Sequence, residues 1–361
     1  MATALPQELQ PVVVAERVSR IKVINDTFQK FWGFNGDNVT PVPVRTGTID
    51  IFNETRQIAT AVVPGSASAN IAPQVVGTFN YSIPEVRENE NLKAEKLFNL
   101  RQMGSSANVI DVYGMNYVAE QERFMKQKLV NFREFQAAAM LRGSYTYSKI
   151  GGGTSLSHAF TGGTYTVDYQ VPSANKNQLS GAIATTWLTT TNKIVDHIVA
   201  VNKLSASQSG RGIRHAFCNS TIWQLVVNNT QVQNLGGSVN QPFDYIERSD
   251  KSEDYTAKLK AIPWLTWHIT DNGLDVGGSF TTYLADTQCT FTVEPGTDVA
   301  SYYTCPSPVV EYDGGPIVGK QGEHYWYTSM RDPAAYQLNT VLSGMPILKI
   351  PTGIFYGTVV F

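Results

Sequence analysis

Charged residues make up only 16% of this 361-residue chain, where a globular domain usually carries about a quarter. The two signs nearly cancel, 28 Lys and Arg against 30 Asp and Glu, for a formal net charge of -2. The basic stripe of a dedicated nucleic-acid binder is therefore missing. Cysteine is scarce as well. Cys218, Cys289 and Cys305 show no CxxC spacing and are odd in number, which argues against a disulfide framework. Each is expected to be a small buried hydrophobe, in keeping with a reducing compartment. No uninterrupted apolar stretch approaches the roughly 18 residues of a membrane-spanning helix. The opening, MATALPQELQPVVVAERV, has neither the basic start nor the apolar core of a signal peptide, so synthesis and folding in a cytoplasm are expected.

Catalytic signatures are also missing. His158, His197, His215, His268 and His324 form no HxxH or HExxH group, and isolated histidines are more often structural. Neither a GxSxG elbow nor a GxxxxGK(S/T) loop occurs. Gly151-Gly152-Gly153-Thr154 lacks the lysine of a phosphate cradle and reads as a hairpin tip between tyrosine-bearing strands. Asp271, Asp275 and Asp286 fit no EF-hand spacing, and Asp271-Asn272-Gly273 reads as a turn. No enzymatic activity, metal or cofactor is expected.

What the chain does contain is two lobes' worth of elements and two segments without a core of their own. Residues 1–50 read as an extended, proline-punctuated arm, with Pro41 and Pro43 around Val42 and an apolar Val12-Val13-Val14 run. Residues 51–104 read as a long two-stranded excursion with a Pro64-Gly65-Ser66 turn and a returning strand that breaks at Pro84. Such a hairpin is marginal in water and needs a partner surface. A mixed-charge strip, Arg87 to Lys96, follows it. Charged stretches are by default solvated faces. Beside an excursion that cannot bury itself, Arg56, Arg87, Glu88, Glu90, Lys93, Glu95, Lys96 and Arg101 become candidate contacts to a neighbouring subunit.

The clearest helix spans 112–142. Val118, Met125, Leu129, Phe132 and Ala139 share one face, Glu122 and Lys126 are expected to pair at i,i+4, and Gly143 is the stop. At 1.5 Å per residue it is a spine roughly 45 Å long. A second helix is expected at 192–207, and a short one after a strand at 213–218, capped by Asn219 or Ser220. Beyond residue 230 the chain is β-rich. The fold class is α+β.

Several local motifs, in order along the chain, resemble the lambda-like major capsid family of tailed bacteriophages. They are Phe52-Asn53-Glu54 with Ile58-Ala59, Pro64-Gly65, Ile83-Pro84, Leu100-Arg101-Gln102-Met103-Gly104, the run Arg133 to Gly143, Val167-Asp168-Tyr169, Trp187, Asp332-Pro333, Leu338, Ser343-Gly344-Met345-Pro346-Ile347 and Pro351. The resemblance implies an HK97-like phage capsid fold. Its parts would be an N-terminal arm (1–50), an extended hairpin loop (51–104), a peripheral domain (105–178) with the spine helix, an axial domain (179–315), and C-terminal strands (316–361) returning to the peripheral domain. It implies copies of itself as partners, in hexamers and pentamers of an icosahedral head around double-stranded DNA, assembled in the host cytoplasm and carried in the virion. It leaves room for scaffolding, portal and decoration proteins. DNA would touch the inner face without sequence specificity, and no membrane is involved.

One rival belongs to another class: a β-rich tail or adhesin protein that binds a receptor or carbohydrate on Trp264, Trp267 and Trp326. It accounts for the Tyr, Asn and Thr content but not for the spine helix or the charged strip.

Overall fold

The computed structural model describes residues 9–22, 26–52, 76–93, 97, 112–148, 164–176, 185–236, 243–248, 254–276, 279–311, 315–330 and 335–360. The spine helix runs Val112–Leu141, thirty residues without a proline. Val118, Met125 and Leu129 are buried together with Tyr327, Leu338 and Leu342, and Ala139 is buried as well, so the face expected from the spacing is the face that packs. Gly143 ends the helix at φ 77. A side chain there would be strained by that backbone, and its Cβ would meet Val171 Cγ2 at 2.9 Å.

Nineteen strands surround it among the described residues: β1 Val39–Pro41, β2 Thr46–Phe52, β3 Val76–Ser82, β4 Glu85–Lys93, β5 Ser144–Ser148, β6 Thr164–Asp168, β7 His215–Cys218, β8 Phe243–Arg248, β9 Tyr255–Leu259, β10 Ile262–Ile269, β11 Gly273–Val276, β12 Ser279–Thr282, β13 Gln288–Thr292, β14 Ala300–Thr304, β15 Pro306–Val310, β16 Ile317–Gln321, β17 Glu323–Met330, β18 Ala335–Leu348 and β19 Ile354–Thr358. One lobe packs the spine helix against a five-stranded sheet in the order β1-β14-β18-β17, with β4 on β18. The other is a six-stranded sheet, β19-β13-β7-β10-β9-β8, whose core gathers Trp187, Ile198, Trp267 and Phe291. Four two-stranded hairpins complete the sheets: β2–β3, β5–β6, β11–β12 and β15–β16.

Other expectations hold in detail. The second helix is Ile194–Ser209. Asn219 caps the helix Ser220–Val227, its side chain accepting from Ile222 N at 3.0 Å. All three cysteines are buried.

Four expectations need revision. The arm is not merely extended: Pro11 starts a helix, α1 (Pro11–Ser19), that buries Val14 and Val18, and α2 (Thr27–Trp32) follows. A proline at the first position and apolar residues four apart favour helix over strand once a surface is present to cover them. Second, the strip 85–93 does not belong to the excursion. It is β4, paired along its length with β18 from Glu85↔Ser343 to Lys93↔Ala335. Third, the last strand does not return to the spine lobe. β19 pairs with β13 in the six-stranded sheet, because Phe355 and Val359 complete that lobe's core. Fourth, Glu122 and Lys126 do not pair with each other, since α1 offers both of them better partners. The Pro64-Gly65-Ser66 turn and the Gly151–Gly153 tip lie outside the described residues.

Candidate functional site

Assembly surfaces are the candidate site, and they begin where the excursion leaves the body. β2 and β3 pair antiparallel from Thr46↔Ser82 to Phe52↔Val76. Ile51, Phe79 and Tyr81 tuck into the main core, and Ile83 N donates to Arg45 O at 2.9 Å. At this base Glu85 pairs with both Arg45 and Arg87, and Arg87 also donates to Pro308 O at 2.7 Å. The clamp therefore ties the hairpin, β4 and the β15–β16 hairpin together, with both arginines partly solvent-facing.

The candidate contact residues divide. Arg56, Glu95, Lys96 and Arg101 lie outside the described residues. Arg87 is engaged in the clamp, and Glu88 pairs with Lys128 of the spine helix at 2.8 Å. Glu90 is partly exposed and Lys93 exposed. Among the described residues β4 pairs only with β18, so it forms an edge of its sheet. Edges rich in charge resist casual pairing.

Along the spine helix, inward polar side chains fasten neighbouring segments. Glu122, fully buried, takes both Arg17 of α1 in a bidentate pair and the Tyr327 hydroxyl at 3.0 Å. Lys126 Nζ donates to Val18 O at 2.6 Å and Ile21 O at 3.1 Å, at the end of α1. Arg133 pairs with Glu323. Gln136 accepts from Tyr302 Oη at 3.1 Å and reaches Gly344 O. A Cβ at residue 344 would run into the Tyr302 ring at 2.3 Å, which accounts for the glycine.

Glu134 holds α2. It accepts from Phe28 N at 2.6 Å, Gln29 N at 3.1 Å and Gln29 Nε2 at 3.0 Å. Burial pushes its carboxyl up to about 7, against the opposite pull of these hydrogen bonds. α2 in turn sits between the lobes. Phe28 packs on Phe217 and Tyr283, and Thr27 donates to Asp254.

Sequence spacing did not reveal the pairing of His215 with His268. Adjacent strands β7 and β10 bring their Nδ1 and Nε2 within 3.0 Å, and His215 Nε2 lies 3.0 Å from Glu294. Burial pushes His268 down to about 3, and the nearby His215 adds to the effect. The pair stays neutral near pH 7 and packs edge-on against Phe31 of α2. Among the described residues no cluster of three or more His, Cys, Asp or Glu is arranged to hold a metal ion. Asp271 and Asp286 instead serve the loop at Asn219 and Ser220.

The tryptophans required by an adhesin reading are committed elsewhere. Trp267 is fully buried, Trp326 is buried, and Trp264 packs against the second core.

Comparison with known proteins agrees with this arrangement. The phage major capsid protein E family matches residues 11–359. Among solved structures, a protein assigned as a prophage capsid protein from E. coli CFT073 superposes with a TM-score of 0.60 at 12% identity, over 97% of this chain and 99% of that one. A phage-related protein from Bordetella bronchiseptica RB50 gives 0.54 at 10% identity, over 98% of each chain. At such identities the likeness concerns the fold, which is the HK97-like capsid fold. No curated protein matches in sequence.

Proposed function

The chain belongs to the phage major capsid protein E family, and from that premise we propose how its parts build a shell. It is a shell-forming capsid protein of a virion, and its role is structural. The observation that carries this reading is the family match across nearly the whole chain, both lobes included.

In the proposed assembly the axial domain of 179–315, which supplies five strands of the six-stranded lobe while β19 supplies the sixth, packs around local symmetry axes, and the spine lobe forms the periphery. The arm (1–50) and the extended loop (51–104), whose β4 portion is built into the spine lobe, reach across neighbours and link subunits into hexamers and pentamers of an icosahedral head, while β17 and β18 complete the spine lobe's sheet. Around a closed shell, modest contacts multiply, so each interface can be weak while the particle is stable. The strip formed by Arg56, Arg87, Glu88, Glu90, Lys93, Glu95, Lys96 and Arg101 supplies charged contacts to a neighbour. The edge position of β4 and the exposure of Lys93 support this role. Because Arg87 and Glu88 already have partners in the chain, they would contribute by sharing them. Double-stranded DNA would fill the interior, where a near-neutral wall lets a polyanion pack without sticking. Scaffolding, portal and decoration proteins are the further partners, and assembly takes place in the host cytoplasm.

Sedimentation and negative-stain imaging of the expressed chain test the reading. Large closed particles of uniform size are expected, and a trimer or smaller oligomer at every concentration would overturn it. For the strip, the assembly threshold should rise with salt, because exposed ion pairs are screened. A threshold indifferent to salt would remove the strip from the interface.

A further inference from the structure

Two of the three cysteines face each other across the six-stranded sheet. β7 and β13 run antiparallel with Thr292↔His215, Phe291↔Ala216 and Thr290↔Phe217 in register. The next step of that register sets Cys289 opposite Cys218. Side chains alternate along a strand, so Cys218 shares a face with Ala216 and Cys289 with Phe291. All four belong to the core of the six-stranded lobe, whereas Phe217 points into the other core. The two thiols therefore lie on one side of the sheet, and both are fully buried. Burial pushes each above its ordinary pKa, and Cys218 further opposes ionisation of Cys289.

Directly opposed residues on antiparallel strands have Cα atoms about 4.5–5.5 Å apart, inside the roughly 4.4–6.8 Å that a disulfide spans. The pair has the backbone spacing of a disulfide while holding two free thiols. A small buried hydrophobe accounts for either cysteine alone, but alanine or valine would fill such a position as well. Cys305 supplies the contrast: it lies in the other core, and its Sγ meets the Ser343 hydroxyl at 2.7 Å instead of a thiol. Cys218 is the last residue of β7 and Cys289 the second of β13, so the pair sits at one end of the sheet. Local opening of that end admits a small solute.

We propose that Cys218 and Cys289 form a redox staple, a dithiol in the reduced protein that hydrogen peroxide closes to a disulfide joining β7 to β13. In the first step one thiolate attacks a peroxide oxygen, the O–O bond breaks, and sulfur becomes a sulfenic acid as water leaves. The second thiol then attacks that sulfur, and its proton goes to the departing hydroxide, which leaves as water. Two thiols are oxidised and one peroxide is reduced to two waters. Closing the 218–289 loop restricts the unfolded chain, which strengthens the lobe. The staple lies within one subunit and is independent of the shell-forming reading.

Wild-type protein prepared with a reductant, freed of it and exposed to hydrogen peroxide tests the staple. Remaining thiols are alkylated after unfolding, and peptides are mapped by mass spectrometry without reduction. A linked Cys218–Cys289 peptide lacking both thiol hydrogens is expected, with Cys305 still alkylated, and dithiothreitol should reverse the link. At the urea midpoint of the reduced protein, the oxidised protein should show an unfolded fraction at least about tenfold lower. Cys218→Ala, exposed likewise, should show neither the link nor the gain, and Cys305→Ala should keep both. If Cys218→Ala does not fold, Cys289→Ala carries that comparison. Both thiols still alkylated after peroxide would overturn the proposal. So would links that join separate chains or involve Cys305 equally, or sulfinic and sulfonic acids at both positions without a link. A link that leaves urea resistance unchanged would also sink it, because the bond would then staple nothing.

Discussion

The two halves of the spine helix each bury a glutamate against the N-terminal segment, but under different conditions. In the first half, Glu122 meets the guanidinium of Arg17 and the hydroxyl of Tyr327. In the second half, Glu134 meets only N–H donors from Phe28 and Gln29, with no cation among the described residues. A carboxylate matched by an opposite charge makes a fixed joint. One held by neutral donors alone remains expensive to ionise, and its charge then depends on pH near neutrality. That second joint lies where α2 wedges between the lobes, so the helix is fastened firmly at one end and conditionally at the other. A shell subunit that must occupy non-identical settings is served by such an arrangement, because the lobes can adjust at α2 while α1 stays in place.

The largest expected effect breaks the fixed joint. Arg17→Ala would leave Glu122 buried without its cation, at a cost of about 3–5 kcal/mol. Glu122→Ala should cost less, because Arg17 is 20% exposed and can turn to water, whereas Glu122 is fully buried. Urea unfolding of the unassembled subunit measures both, and the reverse order would mean that the joint is not built around the acid. Between the two joints, Leu129→Ala should cost about 2–5 kcal/mol through lost burial and an unfilled cavity. Its effect should be the same at pH 5 and pH 7.5, which makes it the reference for the charged sites.

The conditional joint should appear as a pH dependence. Glu134 has a folded pKa of about 7 against an ordinary value of 4.5, so the native state holds the proton more tightly than the unfolded chain. The corresponding stability is complete below the ordinary value and is lost as pH rises through about 7. By linkage this amounts to about 3 kcal/mol across that window, as an order of magnitude. Glu134→Gln, which keeps an oxygen for α2 but cannot ionise, should flatten the slope between pH 4.5 and 7. An unchanged slope in the variant would show that another group titrates.

How much of this was legible in the chain follows from which positions carry apolar residues. The spine helix was, because Val118, Met125, Leu129, Phe132 and Ala139 mark one face without interruption. β4 was not, although it alternates. Its inward side runs Val86, Glu88, Glu90, Leu92, and the two acids in the middle hide the period. Glu88 is tolerated there because Lys128 of the spine helix meets it, and Glu90 stays partly exposed. The partner strand, more than two hundred residues away, leaves no local trace. α1 was obscured in another way: Val12-Val13-Val14 suggests a strand, but only Val14, with Val18 four residues on, faces inward, and Val12 is 79% exposed. Of the candidate contacts, the charge pattern could show that Arg87 and Glu88 want partners, but not that those partners lie within the same chain.

The smallest effect concerns Lys126, and it tests whether the first half of the helix is fastened by more than one ion pair. Spacing alone suggested an exposed i,i+4 pair with Glu122, worth at most about 0.5 kcal/mol. The structure gives Lys126 a different task. Its ammonium crosses to Val18 O, which also accepts from Ile21 N at 3.1 Å, and to Ile21 O just beyond the end of α1. A charged donor on two carbonyl acceptors is worth more than a solvated pair, so Lys126→Ala should cost about 1–2 kcal/mol. Lys126→Met separates the packing of the side-chain stem from the ammonium: it should lose nearly as much as Ala if the hydrogen bonds dominate. The loss should also survive high salt, which screens an exposed ion pair but not a direct bond to a partly buried carbonyl. A cost below about 0.5 kcal/mol that vanishes in salt would return Lys126 to the solvated surface and leave α1 held by Arg17 and by its buried Val14 and Val18. The contrast between the two halves of the helix would then narrow to a single guanidinium.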